Sequence, residues 1–258
     1  MSQEQLQATY VGGPTALFEW HGFRFLTDPT FDPPGEYTNG PVTLHKVTGP
    51  ALSPHLVGHV ELVLLSHDHH YDNLDRIGRH YLTHVPRVVT TEEGADRLGG
   101  NAIGLAPWQS IDITGDDGRI FRITGTPAQH GPAHLQRGAV TGFVVAPVDA
   151  PGSAIYFSGD TVWFDGVAEV ARRFPIRLAV LFMGAAHVAE VGPFALTMTA
   201  EDGIKAAHAF SEATIVPIHY EGWKHFSESR EVISRAFEAA GVNGRVRWMV
   251  PGTAVTLP

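Results

Sequence analysis

Three imidazoles and two carboxylates fall within six consecutive positions, His67-Asp68-His69-His70-Tyr71-Asp72, directly after the apolar run Leu62-Val63-Leu64-Leu65. Imidazole nitrogen and carboxylate oxygen are donors that a borderline cation such as Zn²⁺ accepts, and a loop leaving a strand is where a rigid scaffold presents functional groups. Donors recur at the ends of later apolar runs: His130 in Thr126-Pro127-Ala128-Gln129-His130, Asp160 in Ser158-Gly159-Asp160-Thr161, and His219 in Val216-Pro217-Ile218-His219. Donor-bearing strand ends spread over half the chain predict one metal centre, mononuclear or polynuclear, at one edge of a sheet sandwich. The competing reading of the cluster is a solvated polar turn, but turns draw on Gly, Asn and Pro rather than on stacked histidines. His45, His55, His59, His80, His84 and His208 fall outside the pattern and receive no role.

Composition narrows the classes. A chain of 258 residues with 43% hydrophobic content sustains a well-buried core, and its 28 Gly and 18 Pro are scattered through short turns, so residues 1–258 are expected to form a single domain. The net charge of −9 opposes a polyanionic partner, so no nucleic acid is expected. No stretch reaches a membrane span of about 18 apolar residues, and Met1-Ser2-Gln3-Glu4-Gln5 lacks the start of a signal peptide; a cytoplasmic protein is expected. The absence of cysteine removes disulfides, thiolate ligands and a cysteine nucleophile, leaving His, Asp, Glu and Asn as ligands.

The elements that must position these donors follow from periodicity. Strands are predicted at 8–11, 15–20, 23–27, 60–65, 87–90, 110–114, 119–124, 142–147, 154–158, 178–183, 214–218, 245–250 and 254–257. Helices are predicted at 74–80, after Thr91-Glu92-Glu93, at 165–174, from the N-cap Thr199 with Asp202 placed for a capping box to about 210, and at 227–240 with Gly241 at the C-cap. Residues 28–50 form a Pro/Gly-rich loop whose Tyr37 and His45 are placed to line a pocket. Two strand-rich halves, each with helices, suggest two sheets face to face with helices outside.

Gly12-Gly13-Pro14-Thr15, Leu26-Thr27-Asp28-Pro29, the 66–75 cluster, Pro127-Ala128-Gln129-His130, Ser158-Gly159-Asp160-Thr161 and Pro217-Ile218-His219-Tyr220 together resemble the metallo-β-lactamase superfamily. The likeness runs over the whole chain and points to the branch of the ascorbate-6-phosphate lactonases and N-acyl phosphatidylethanolamine phospholipases D. It implies an α+β fold, a four-layer αβ/βα sandwich. It also implies that His130 is the third histidine of a first metal, that Asp160 bridges two metals, and that His219 closes the second site. The family pattern H-x-H-x-D-H is altered here, with one extra residue and Asn73 in place of the last histidine. Anchoring on the strand end selects His67 and His69, whereas anchoring on Asp72 selects Asp68 and His70. The preference of such sites for imidazole favours His67 with either His69 or His70, and assigns Asp72 to the second site. An Asn carbonyl is a weaker zinc donor, so that site is expected to be weak, empty, or filled by a harder ion such as manganese. Asp75 is placed to orient a ligand imidazole.

The ion expected is divalent, zinc first and manganese second, with one or two bound. Such an ion with an open position lowers the pKa of its water from 15.7 to about 7, so the expected activity is hydrolysis by metal-bound hydroxide of a small-molecule ester, lactone or phosphodiester. Asp72 and Asp160 are the expected catalytic carboxylates, and His187, Tyr220, Trp223 and His225 the substrate-facing residues, with Trp163 and Phe164 as further apolar wall. The alternatives are a non-catalytic binding protein on a degenerated site and, within the same fold, a nuclease. A homo-oligomer is compatible with the sequence.

Overall fold

The computed structural model describes residues 6–135 and 137–258. The strands are β1 (Leu6–Gly12), β2 (Thr15–Trp20), β3 (Phe23–Thr27), β4 (Gly35–Asn39), β5 (Val42–Lys46), β6 (Leu62–Leu64), β7 (Val88–Thr90), β8 (Ala102–Gly104), β9 (Ser110–Thr114), β10 (Ile120–Pro127), β11 (Thr141–Pro147), β12 (Ala154–Phe157), β13 (Ile176–Phe182), β14 (Thr214–Ile218) and β15 (Ala254–Leu257). The helices are α1 (Pro54–Val57), α2 (Arg76–Leu82), α3 (Glu92–Leu98), α4 (Asp165–Arg173), α5 (Ala200–Ala209) and α6 (Arg230–Ala239).

Side chains alternate across a strand, and this chain uses both faces. In β13, Leu178, Val180 and Phe182 join Phe18, Phe23 and Phe25 in a core between two sheets, while Ala179 and Leu181 face outward against α4, α5 and α6. Leu17, Leu26, Val63 and Val88 point away from that central core and pack against Val57 of α1 and Tyr81 and Leu82 of α2. The order helix, sheet, sheet, helix is the four-layer sandwich. One sheet runs β15-β1-β2-β3-β6-β7-β8 and the other β14-β13-β12-β11-β10-β9.

Strand direction explains the placement of the donors. β3 pairs parallel with β6, β12 with β13 and β13 with β14, while β10 and β12 are both antiparallel to β11 and so point the same way. The carboxyl ends of β3, β6, β10, β12 and β14 are followed by Asp28, Ser66 to Asn73, His130, Asp160 and His219 respectively. Two backbone hydrogen bonds join the sheets at this edge, Thr141 N to Ser66 O at 3.0 Å and His219 N to Gly13 O at 2.8 Å. His219 has a φ of 57°, an uncommon backbone for a non-glycine residue.

Three expectations change. Residues 28–50 are not a structureless loop: β4 and β5 form an antiparallel hairpin, followed by a turn into α1. Residues 245–250 alternate in polarity but form no strand. Only Val246 bridges to Ile215, and the Arg245 guanidinium turns back to the carbonyls of Ala207, Phe210 and Ala213. The last helix starts at Arg230 rather than 227, because residues 224–228 are held elsewhere: Lys224 N by His45 O, and Ser227 N and Glu228 N by Gly184 O. The capping box of α5 forms as expected, with the Asp202 N–H donating to Thr199 Oγ1 at 3.1 Å and Asp202 returning to the Thr199 N–H.

Candidate metal centre

The loop after β6 begins with a chain of hydrogen bonds. Asp28 Oδ1 accepts from the Ser66 N–H at 3.0 Å and from Ser66 Oγ at 2.6 Å, and Ser66 Oγ lies 2.9 Å from His67 Nδ1. The hydroxyl proton is committed to Asp28, so Ser66 Oγ accepts the His67 Nδ1–H and leaves Nε2 with its lone pair facing inward. That Nε2 lies 3.0 Å from His70 Nδ1. His130 donates Nδ1–H to the Leu196 carbonyl at 2.9 Å, which frees its Nε2 in the same way. The rings of His67, His70 and His130 have centroids 4.9 to 5.4 Å apart.

Asp160 stands between this group and a second one. Its Oδ2 lies 4.0 Å from His130 Nδ1, and its Oδ1 lies 3.0 Å from His219 Nδ1. Asp72 Oδ2 is 3.8 Å from His219 Nε2 and 3.0 Å from His225 Nε2. His67, His130 and Asp160 can bring one donor atom each within 4.8 Å of one another, as can Asp72, Asp160 and His219. Asp160 is common to both groups, the position of a bridging carboxylate.

The fit to cations is tested by atoms left without partners. Asp160 Oδ2, both His219 nitrogens and Asn73 Oδ1 are buried with no hydrogen-bond partner among the described residues, and the 3.0 Å approach of His219 to Asp160 is out of line for a hydrogen bond. Buried polar groups of natural proteins are nearly always satisfied, so several orphans gathered around Asp160 indicate a missing electrophile. Charge states agree. Burial, with the neighbouring rings, holds His67 well below the usual imidazole range, and burial lowers His70 to about 3. Burial alone would raise Asp72, but hydrogen bonding and charge from His225 and the charge of His219 hold it well below the usual carboxylate range. Burial lowers His219 as well, but Asp160 and Asp72 outweigh it and raise its pKa, so it is the first group's imidazoles that stand neutral beside ionised carboxylates, the ligand forms a divalent ion needs.

The structure takes Asp68 out of the cluster and leaves all three histidines in it. Asp68 turns away and pairs with Arg97, whose Nε lies 3.1 and 3.0 Å from its two oxygens, so it does not enter the site. His69 also has a nitrogen within 4.8 Å of His67 and His70; its Nε2 donates to the Arg137 carbonyl at 2.7 Å, which frees Nδ1 just as the Leu196 carbonyl frees Nε2 of His130, and Asn39 binds its backbone oxygen. His67, His69 and His70 thus lie together at the centre, with Asp72 on the side of His219. Asn73 is fully buried, its amide 3.2 Å from Asp160 Oδ1.

Beside His70, Asp72 and His130 opens a cavity of about 240 Å³, lined also by Tyr37, Tyr71, Arg137 and His225 and by an apolar wall from β5 and residues 186–196. Of the expected substrate-facing residues, the structure brings only His225 into it. His187 points Nδ1 at the Ala185 carbonyl at 2.8 Å, outside the lining. Tyr220 packs in the outer core against Trp248 and Tyr10. Trp223 backs the hairpin, 5.6 Å from the Tyr37 ring. Trp163 and Phe164 pack on the outer core, not the cavity. Tyr37 lines the cavity, whereas His45 sits outside it against Glu36 at 3.4 Å. Asp75 orients no imidazole: it caps α2 through the Gly78 N–H at 2.8 Å and holds the buried Lys46 Nζ at 3.1 Å. Arg137 and Lys46 escaped the sequence reading because neither lies in a motif. Ser66 and Asp28 lay in quoted motifs without an assigned task.

A model of the beta-lactamase superfamily domain matches residues 23–220. A protein of Caldivirga maquilingensis described as a metal-dependent hydrolase is 26% identical over 254 residues, covering 96% of this chain and 97% of that one. A like-named protein of Pelotomaculum thermopropionicum is 28% identical, covering 76% of this chain and 82% of that one. An isothiocyanate hydrolase from Delia radicum gut bacteria superposes with a TM-score of 0.79 at 22% identity, covering 96% of this chain and 98% of that chain. A metallo hydrolase from Ignicoccus hospitalis superposes at 0.70 with 24% identity, covering 98% and 99%. At such identity these structures speak for the fold alone. With the matched span covering most of the chain, the protein belongs to the beta-lactamase superfamily and has its metallo-β-lactamase fold.

Proposed function

We propose that this protein is a metal-dependent hydrolase of a small-molecule ester, lactone or phosphodiester, with His67 and His130, joined by His69 or His70, as ligands of a first divalent ion, Asp72 and His219 of a second, and Asp160 shared. The observation that carries the reading is Asp160 itself: buried, flanked by both donor groups, with an oxygen that no described residue satisfies. The relatives described as metal-dependent hydrolases support it. When bound, such ions supply Lewis acidity and acidify a water at neutral pH.

The chain's own residues do the rest. Ser66 and the Leu196 carbonyl fix the tautomers of His67 and His130 so that Nε2 of each presents a lone pair. His225 donates to Asp72 and keeps it ionised, which suits Asp72 to holding a cation better than to storing a proton. The apolar wall excludes water from one side of the reacting group. A cavity of about 240 Å³ is sized for a small molecule, and the net charge of −9 opposes a polynucleotide.

The test is Asp160→Asn, nearly isosteric and neutral. Wild type loaded with zinc or manganese is expected to cleave at least one of a panel of nitrophenyl esters, lactones and phosphodiesters, and the variant to lose more than ~100-fold of that rate together with bound metal. Undiminished turnover with full metal content overturns the assignment.

A further inference from the structure

The cavity holds a cation, Arg137, that no described residue neutralises. Arg79 and Arg97, on the neighbouring surface, are both drawn to Asp68, at 4.0 Å and 3.0 Å. Arg137 has no carboxylate within ion-pair distance among the described residues, and its Nε is buried without a hydrogen-bond partner. Asp72, the carboxylate that lines the same cavity, is already engaged by His225. Arg137 is held in place through its backbone: His69 Nε2 sits 2.7 Å from its carbonyl, and a Cβ added at Gly138 would meet that same nitrogen at 2.7 Å.

The contact of Arg137 is informative. Its Nη2 lies 3.4 Å from His70 Nε2, a long approach in which the ring nitrogen must accept. His70 Nδ1, however, faces His67 Nε2 at 3.0 Å inside the donor group. With the Nδ1 lone pair given to a cation, the ring proton of neutral His70 resides on Nε2, which then donates. Arg137 and His70 become two donors side by side with no acceptor, and two converging donors, one permanently cationic, select an anionic oxygen. The wall opposite is apolar, from Val42, Leu44, Val188 and Leu196.

Resting on the hydrolase reading, we infer that Arg137 and the Nε2–H of His70 cradle an anionic oxygen group, carboxylate or phosphate monoester, on a substrate whose remainder is small and apolar. Arg137 is thus the specificity-determining residue of the pocket. The experiment titrates zinc-loaded and zinc-depleted protein with hexanoate, hexyl phosphate and hexanol, for wild type, Arg137→Lys and Arg137→Met, by calorimetry. In wild type at least one anion is expected to bind about ten-fold or more tighter than hexanol, and the tighter anion names the headgroup. Arg137→Met should lose about ten-fold for that anion with hexanol binding and zinc content unchanged, and Arg137→Lys should keep part of the preference. Equal binding of anions and hexanol by wild type, or an anion affinity untouched in Arg137→Met, overturns the proposal. Arg137→Gln replaces the Met variant if its thermal melt shows it unfolded. Failure to load zinc counts against the hydrolase reading; the zinc-depleted titrations then decide the anion contact of Arg137 alone, because the Nε2–H of His70 requires its Nδ1 to be held by the ion.

Discussion

Ser66 Oγ lies 2.9 Å from His67 Nδ1 while giving its own proton to Asp28 at 2.6 Å, so one hydroxyl fixes which nitrogen of the adjacent ring faces the centre. Asp28 is buried, and burial raises its pKa to about 8. Ser66→Ala removes the acceptor for the Nδ1–H and is expected to weaken zinc binding by roughly 10–100-fold without loss of fold. Competition with a chelating dye measures it, and an unchanged dissociation constant would remove Ser66 from the site.

Gly159 has a φ of 59°, and a Cβ there would strike the Thr141 carbonyl and approach Ser66 Cβ at 2.9 Å. These are rigid parts of the edge that joins the two sheets, so neither yields cheaply. Gly159→Ala is expected to cost about 2–4 kcal/mol in denaturant unfolding, from left-handed strain plus the clash. A loss under ~1 kcal/mol would show that the edge is softer than its contacts suggest.

Lys46 and Asp75 are both buried and lie 3.1 Å apart, joining β5 to the start of α2. Burial lowers the lysine, opposed by Asp75, and raises the aspartate, opposed by Lys46. Lys46→Met leaves a buried carboxylate uncompensated and should cost about 3–5 kcal/mol near pH 7. With its native pKa raised, Asp75 recovers its proton as pH falls, so the deficit should narrow in acid. Adding Asp75→Asn should restore much of the loss at neutral pH.

The pH dependence of the metal-free protein carries a signature of the imidazoles. His70 titrates near 3 when folded, against 6.5 for an unperturbed histidine. Between these values the unfolded chain binds the extra proton, so the contribution of His70 is full above about 6.5 and is lost as pH falls toward 3. His70→Gln should therefore flatten the stability profile, by up to about 1.4 kcal/mol per pH unit relative to wild type between pH 4 and 6. Parallel wild-type and variant profiles would contradict the buried, neutral ring.

Much of this architecture is readable from periodicity because the core is built by alternation. The run over β13 is apolar at every buried position as it lies between two layers, and β14 lies at the residues its pattern indicates. Elements with little burial are silent. β4 buries only Tyr37 of its five residues, and β8 none of its three. The proposed donors His67, Asp72, His130, Asp160 and His219 are legible because each lies in a loop that follows an apolar run. The separate tasks of His69 and His70 are not, since both are histidines and only their three-dimensional neighbours, the Arg137 carbonyl and His67 Nε2, show which nitrogens are spoken for. Arg137 gains its meaning from three-dimensional neighbours, which no local spacing encodes.

The β4–β5 hairpin belongs to neither large sheet, yet supplies one side of the cavity, and it is fastened by Lys46 to Asp75, Lys224 N to His45 O, Asn39 to the His69 carbonyl, Tyr37 against Trp223, and Val42 and Leu44 against Ala186 and Val188. Exposed side chains of the ribbon outside these contacts can be exchanged with little effect on the packed layers. Selectivity for one substrate over another is free to drift in this ribbon while the donor-bearing edge beneath it stays fixed, a division of labour that suits repurposing toward new substrates by a handful of substitutions.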